Sequence, residues 1–210
     1  EQFTALNGAN IAIVLLITLW ALRLGTFLFM RIHKDGEDKR FRSIKPSATQ
    51  FFMTWTLQGL WVSMCSMCAL TAISSETGVV MNALFYIGLG LFIYGFCTEI
   101  IADNQKSKFR SIPENRDKFI TTGLWAKSRH PNFFGEIVLW AGIAVMSFSS
   151  LNGLQYLTLI SPVFTYLLLV YVSGVRMLEA RADKKWGQDE EYVKYKSETP
   201  VLMIKYLGRP

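Results

Sequence analysis

Apolar positions along this chain gather in long blocks separated by short, densely charged segments. No charged residue occurs from Pro46 to Ser75, from Thr77 to Thr98, or from Ile137 to Val175. A helix needs about 20 apolar residues to cross roughly 30 Å of hydrocarbon, so the first two blocks predict one span each and the third predicts two. Asn152-Gly153 is the natural turn of that last pair. A further apolar run from Asn10 to Met30, interrupted only by Arg23, brings the number of spans to five. The pattern predicts an all-α fold: a polytopic transmembrane helical bundle in one domain over residues 1–210.

Composition agrees with this reading. The 210 residues are 51% hydrophobic and their mean hydropathy is +0.26, too apolar for a soluble domain, yet 22 Lys and Arg and 16 Asp and Glu are present. The net charge of +6 raises the possibility of nucleic acid, but the placement of the basic residues has a topological cause. Six lie in residues 31–45, seven in 102–130 and eight in 176–210, while the loops around Glu76 and Asn152 hold none. A five-span topology puts those three segments on one side, as the positive-inside rule requires. That side is expected to be cytoplasmic, with membrane lipids as partners and no nucleic acid. The chain opens on Glu1 and runs almost directly into a span, so an N-terminally incomplete domain is expected, with no cleavable secretory signal. Cys65-x-x-Cys68 lies in an apolar span with no second pair nearby and reads as small packing residues; no metal site is expected.

Candidate chemistry concentrates where the third span ends and the fourth begins. Glu99, Asp103, Lys106 and Arg110 are spaced four, three and four apart and share one face if the helix continues. An ionisable group at the depth of Glu99 is expensive unless a partner or a polar cavity receives it; the alternative is a solvated helix end with internal ion pairs. Downstream, Pro131 suits the first position of a helix, with His130 at its cap, and Asn132, Glu136 and Trp140 follow at four-residue spacing. A helix N-terminus flanked by Lys127, Arg129 and His130 is suited to a phosphate, although basic residues before a span also anchor it to headgroups. Glu136, inside the start of the span, can accept hydrogen bonds from a ligand amide or hydroxyl.

Two further segments carry polar residues. Beyond Gly174, the sequence around Trp186-Gly187, Glu191, Tyr192 and Tyr195 predicts a short amphipathic helix along the membrane surface, from which Arg176, Glu179 and the tyrosines could close over the site. Around the first span lie Trp20, Arg23, Arg31, His33, Lys34, Asp38 and Arg40. Arg23 precedes the basic cluster by eight residues, which at about 1.5 Å per residue puts it roughly 12 Å into the membrane; an inward-facing role is favoured over snorkelling.

Ala102-Asp103, Phe109-Arg110, Gly123-Leu124 and the block from His130 to Glu136 together resemble the C-terminal signature of the steroid 5-alpha-reductase superfamily. Trp20 to Gly25 and Leu57-Gln58-Gly59 also look like that superfamily, in particular its uncharacterised membrane branch, and the resemblance extends from about Trp20 to Tyr206. It implies a bundle of up to seven helices, NADPH in a cytoplasm-facing cavity, and an apolar enone of lipid or steroid type entering from the bilayer. Carried onto this sequence, it assigns cofactor contacts to Asp103, Arg110, Asn132 and Glu136, with Arg23 and Arg31 as weaker candidates. The tyrosine that polarises the substrate carbonyl in steroid reductases aligns with Trp20, whose indole donates a hydrogen bond but does not cycle a proton. Their partner glutamate would lie upstream of Glu1, so no catalytic residue is assigned.

Arg129-His130-Pro131 with Gly135, and Gly187 followed by Glu191-Tyr192 and Tyr195, also resemble the isoprenylcysteine carboxyl methyltransferases. That resemblance implies S-adenosylmethionine in place of NADPH. A third reading is a non-catalytic accessory subunit of a larger membrane assembly. Asn132 with Glu136, and Asp103 with Arg110, favour the reductase.

Overall fold

The structure, a computed structural model, describes residues 7–37, 41–42 and 44–205; Asp38, Arg40 and Tyr206 lie outside them. Among the described residues the α-helices are α1 (Gly8–Asp35), α2 (Ala48–Ile73), α3 (Ala83–Ser111), α4 (Pro131–Ser147), α5 (Ile160–Leu167), α6 (Val175–Trp186) and α7 (Glu190–Glu198). No strand occurs among the described residues. Among the described residues, five helical segments are long and apolar enough to cross a membrane, the fifth running from Gly153 through α5 into α6. The protein is therefore an all-α, multi-pass integral membrane protein. Leu22, Phe29 and Phe52 are among the large apolar side chains that stay exposed, as expected where lipid, rather than protein, is the solvent.

The chain divides into two compact units. The first comprises Glu1–Asn82 and Ser147–Ser161. Asn7 caps α1 by accepting from the Asn10 N–H at 2.8 Å. The two asparagines then hold the loop that follows α2: Val79 N–H donates to Asn10 Oδ1 (2.8 Å), and Asn7 Nδ2 donates to the Val79 carbonyl (2.9 Å). Backbone groups buried in a loop must find such partners. Gly78 meets the two amides with φ +63°, and a Cβ there would lie 2.8 Å from Asn7 Nδ2. The expected turn after α4 is present: Asn152 and Gln155 form a reciprocal capping box, and the turn packs on α2, where the Ser161 hydroxyl donates to the Cys65 carbonyl. Cys65 and Cys68 are free thiols in this core. Trp20 is buried here as well.

The second unit comprises Ala83–Met146 and Pro162–Pro210. Its centre is the packing of α3 on α4 through two glycine pairs seven residues apart. A Cβ on Gly95 would lie 2.4 Å from the Gly135 carbonyl oxygen, and one on Gly88 would lie 2.5 Å from that of Gly142. Backbones this close need residues without side chains, the usual device for helix contact in lipid. Phe85, Phe92, Leu139, Trp140, Ile143 and Met146 fill the space around them. The fifth span ends differently from a regular helix. After α5 the backbone widens to i→i+5 bonding over Leu168–Val172, with Ser173 N–H donating to the Leu168 carbonyl at 2.9 Å. Gly174 then turns the chain into the polar α6.

Candidate functional site

All residues of the site described here belong to the second unit. α3 continues unbroken to Ser111, so Glu99, Asp103, Lys106 and Arg110 share a face as expected from their spacing. Glu99 and Asp103 are buried, Lys106 is half-buried and Arg110 is exposed. The burial grades from interior carboxylates to exterior cations along one helix face. On α4, Pro131 is the first helical residue, Asn132 is half-buried and Glu136 is buried. The Gly95–Gly135 contact sets these helices against each other: a Cβ on Gly135 would lie 2.8 Å from the Glu99 backbone nitrogen. Glu99 and Glu136 thus emerge beside the same crossing, with Asp103 one turn further along α3.

The loop between the helices is fastened to α3. The Trp125 indole N–H donates to the Ala102 carbonyl (3.0 Å), and Leu124 N–H donates to Gln105 Oε1 (2.9 Å). Gly123 makes the turn with φ +64°, pressed against the Gln105 side chain. Lys106 places its ammonium 4.3 Å from the centre of the Trp125 ring, a distance at which a cation is attracted to the ring face.

The backbone just before α4 is held by the segment that follows α7. The N–H groups of Arg129 and His130 donate to the carbonyls of Pro200 (2.9 Å) and Val201 (3.1 Å). The segment after α7 runs along residues 127–130, with Ser128 Oγ bonded to the Leu202 carbonyl (2.8 Å) and Lys205 N–H to that of Lys127 (3.0 Å). The side chains of Arg129 and His130 are also engaged. Glu179 of α6 pairs with Arg129 through Oε2 and lies 2.7 Å from His130 Nε2 through Oε1. Lys196 stands 3.8 Å from the same carboxylate and 2.5 Å from Asp183, which also accepts from the Tyr192 hydroxyl at 3.0 Å.

Burial pushes the His130 pKa below its ordinary value, and the charges of Lys106 and Arg129 add to the effect; hydrogen bonding and attraction to Glu179 oppose it. The neutral ring presents Nε2–H to Glu179, since a carboxylate only accepts, and Nδ1 is left as an acceptor. Nδ1 is buried and has no hydrogen-bond partner among the described residues. Burial also raises the Tyr195 hydroxyl well above its usual range; that hydroxyl donates to the Trp125 carbonyl at 2.7 Å.

Of the sequence-derived candidates, Asp103, Arg110, Arg129, His130, Asn132 and Glu136 all lie in this second unit. Arg23 and Arg31 lie on α1 in the first unit, where the Arg23 guanidinium sits 5.3 Å from the Phe27 ring centre. Two features had weaker signals. The glycines carry a seven-residue spacing, Gly88 to Gly95 and Gly135 to Gly142, that marks a common helix face. Glu179, named from the sequence among the residues that could close over the site, meets Arg129 and His130, a pairing with no local sequence signal. As chemistry, the site combines buried carboxylates with Lys106 and Arg110 toward the polar end of the same helix face.

A curated protein described as a probable O-methyltransferase, ustE of Ustilaginoidea virens, is 30% identical over 116 residues, covering 48% of this chain and 41% of the relative. The chain thus spans about two fifths of that relative's length. No solved structure matches. Residues 4–199 match the family model described as "Protein of unknown function (DUF1295)", and the chain belongs to that family.

Proposed function

We propose that the protein is an NADPH-dependent membrane reductase that saturates a C=C bond of an apolar, lipid-like or steroid-like enone. The observation that carries this reading is the pairing of α3 and α4 at Gly95 and Gly135, which sets buried Asp103 and Glu136 on adjoining helices with Asn132 on the α4 face. Asp103, Glu136 and Asn132 accept from, and in the case of Asn132 also donate to, ribose hydroxyl and carboxamide groups. Lys106 and Arg110 meet the phosphates outside the apolar layer. When bound, NADPH supplies the hydride for the beta carbon of the enone, and a proton completes the alpha carbon. The basic segments, and with them this site, face the cytoplasm. Arg129 and His130 act at one remove, by holding α6 through Glu179 against the entrance of α4.

A second reading is methyl transfer from S-adenosylmethionine. The identity to the fungal probable O-methyltransferase favours it, as do the blocks around His130 and Tyr192. Three buried carboxylates near one crossing would also tolerate a sulfonium cation. Thermal unfolding in mild detergent with each cofactor titrated separately distinguishes the two. A ligand at a hundredfold excess over its Kd adds about 2.7 kcal/mol. Stabilisation by NADPH alone supports the reductase, by S-adenosylmethionine alone the methyltransferase, and by neither removes both.

A further inference from the structure

The loop after α3 and the junction of α6 with α7 flank an open cleft of ≈ 480 Å³, within the size range of small-molecule sites, about 300–1,000 Å³. Its walls are unlike those of the α3–α4 site. Three aromatic rings, Phe109, Phe119 and Trp186, are joined by three carboxylates, Asp117, Asp189 and Glu191, against the single lysine Lys118. The rings are held in place. The Trp186 indole N–H donates to the Asp117 carbonyl at 2.6 Å, and Phe119 packs edge-on to Trp186 with ring centres 5.9 Å apart.

The protein's own side chains show what such a wall accepts. Lys185 places its ammonium 4.8 Å from the centre of the Trp186 ring while bonding Asp117 Oδ1 at 2.8 Å. That hydrogen bond holds the Asp117 carboxyl below its usual range. An ammonium on an aromatic face with a carboxylate beside it is the arrangement by which proteins recognise organic cations. Asp117 is already paired and Asp189 caps α7 by accepting from the N–H groups of Glu191 and Tyr192, so among the lining carboxylates Glu191 is placed to meet an incoming charge.

We propose that this cleft binds an alkylated ammonium group, of the kind carried by choline and by choline headgroups. Three carboxylates disfavour a phosphate. The aromatic walls favour a quaternary over a primary ammonium, because its methyl groups lie against the rings and need no hydrogen-bond partner there. The proposal is independent of the cofactor reading, since it uses none of the residues assigned there.

Calorimetry on the full chain in maltoside detergent tests it, with tetramethylammonium chloride titrated against sodium chloride of equal ionic strength. Saturable binding above the sodium reference is expected. Glu191→Gln, an exposed and isosteric change, should weaken it roughly fivefold, and Trp186→Leu roughly tenfold or more. No saturable binding in the wild type, or wild-type affinity in both variants, overturns the proposal. So does ammonium chloride binding as tightly as tetramethylammonium, which would make the cleft a simple acidic ion site. Choline and glycerophosphocholine then identify the source. Comparable binding of the two points to a lipid headgroup, and binding of choline alone to a free amine.

Discussion

Glu179 Oε1 lies 2.7 Å from His130 Nε2, while the other oxygen of the same carboxylate meets Arg129. Two residues at the start of α4 are thus tied to α6, some fifty positions later in the chain. The Arg129 and Glu179 side chains are only 12% and 20% exposed, so removing the carboxylate leaves a mostly buried guanidinium with its charge uncompensated. Glu179→Ala should destabilise the protein by about 1–3 kcal/mol, and Glu179→Gln by less, since the amide oxygen still accepts. Thermal unfolding in detergent measures both; equal stability of wild type and Glu179→Ala would show that the carboxylate holds nothing.

The neutral state of His130 gives stability an acid limb. Burial lowers the folded pKa below the ordinary 6.5, so between the two values the unfolded chain binds more protons than the folded one. Stability from this residue is complete above pH 6.5 and is lost as pH falls toward the folded pKa. The unfolding temperature measured from pH 8 to pH 5 should drop more steeply for wild type than for His130→Gln. Parallel curves would mean that His130 takes up its proton without penalty.

The helix contact at Gly95 should be intolerant of a single methyl group. Gly95→Ala places Cβ 2.4 Å from the Gly135 carbonyl, and separating the helices should cost roughly 2 kcal/mol or more. Gly90, on the same helix, has nothing within 4 Å of an added Cβ; Gly90→Ala should be neutral or stabilising by up to about 1 kcal/mol. Folding yield and thermal stability compare the two, and equal effects would refute the packing described.

The proposed cytoplasmic placement of the Lys- and Arg-rich segments has a direct test. With the native cysteines replaced, a single cysteine at Glu114 should react with an impermeant thiol reagent only from the cytoplasmic side, and one at Glu76 only from the other. The reverse pattern would invert the topology.

Much of the fold was legible in the sequence because lipid imposes a simple rule: charge-free stretches of sufficient length become helices. Pro131 announced the start of α4 through its missing N–H, and Asn152-Gly153 announced the turn after it. The break of the fifth span at Leu168–Val172 was not legible, since Leu-Leu-Val-Tyr-Val is as compatible with a regular helix as with a widened turn. Part of the site was legible from spacing alone: Glu99, Asp103, Lys106 and Arg110 had to share a face once α3 continued. The partners of the backbone just before α4 were less legible: Pro200 and Val201, which accept from Arg129 and His130, lie about seventy residues away, where no periodicity points to them.

The most direct measurement of the central claim is the equilibrium affinity for NADPH in detergent, for wild type, Arg110→Ala and Glu136→Gln, with helical content checked for each. Saturable binding in the wild type is expected. Loss of a charge-assisted contact worth about 1.5–3 kcal/mol should weaken it by roughly ten- to a hundredfold in either variant without unfolding the chain. Wild-type protein that does not bind NADPH, or variants that bind it as wild type does, would contradict the assignment of the α3–α4 crossing as the cofactor site.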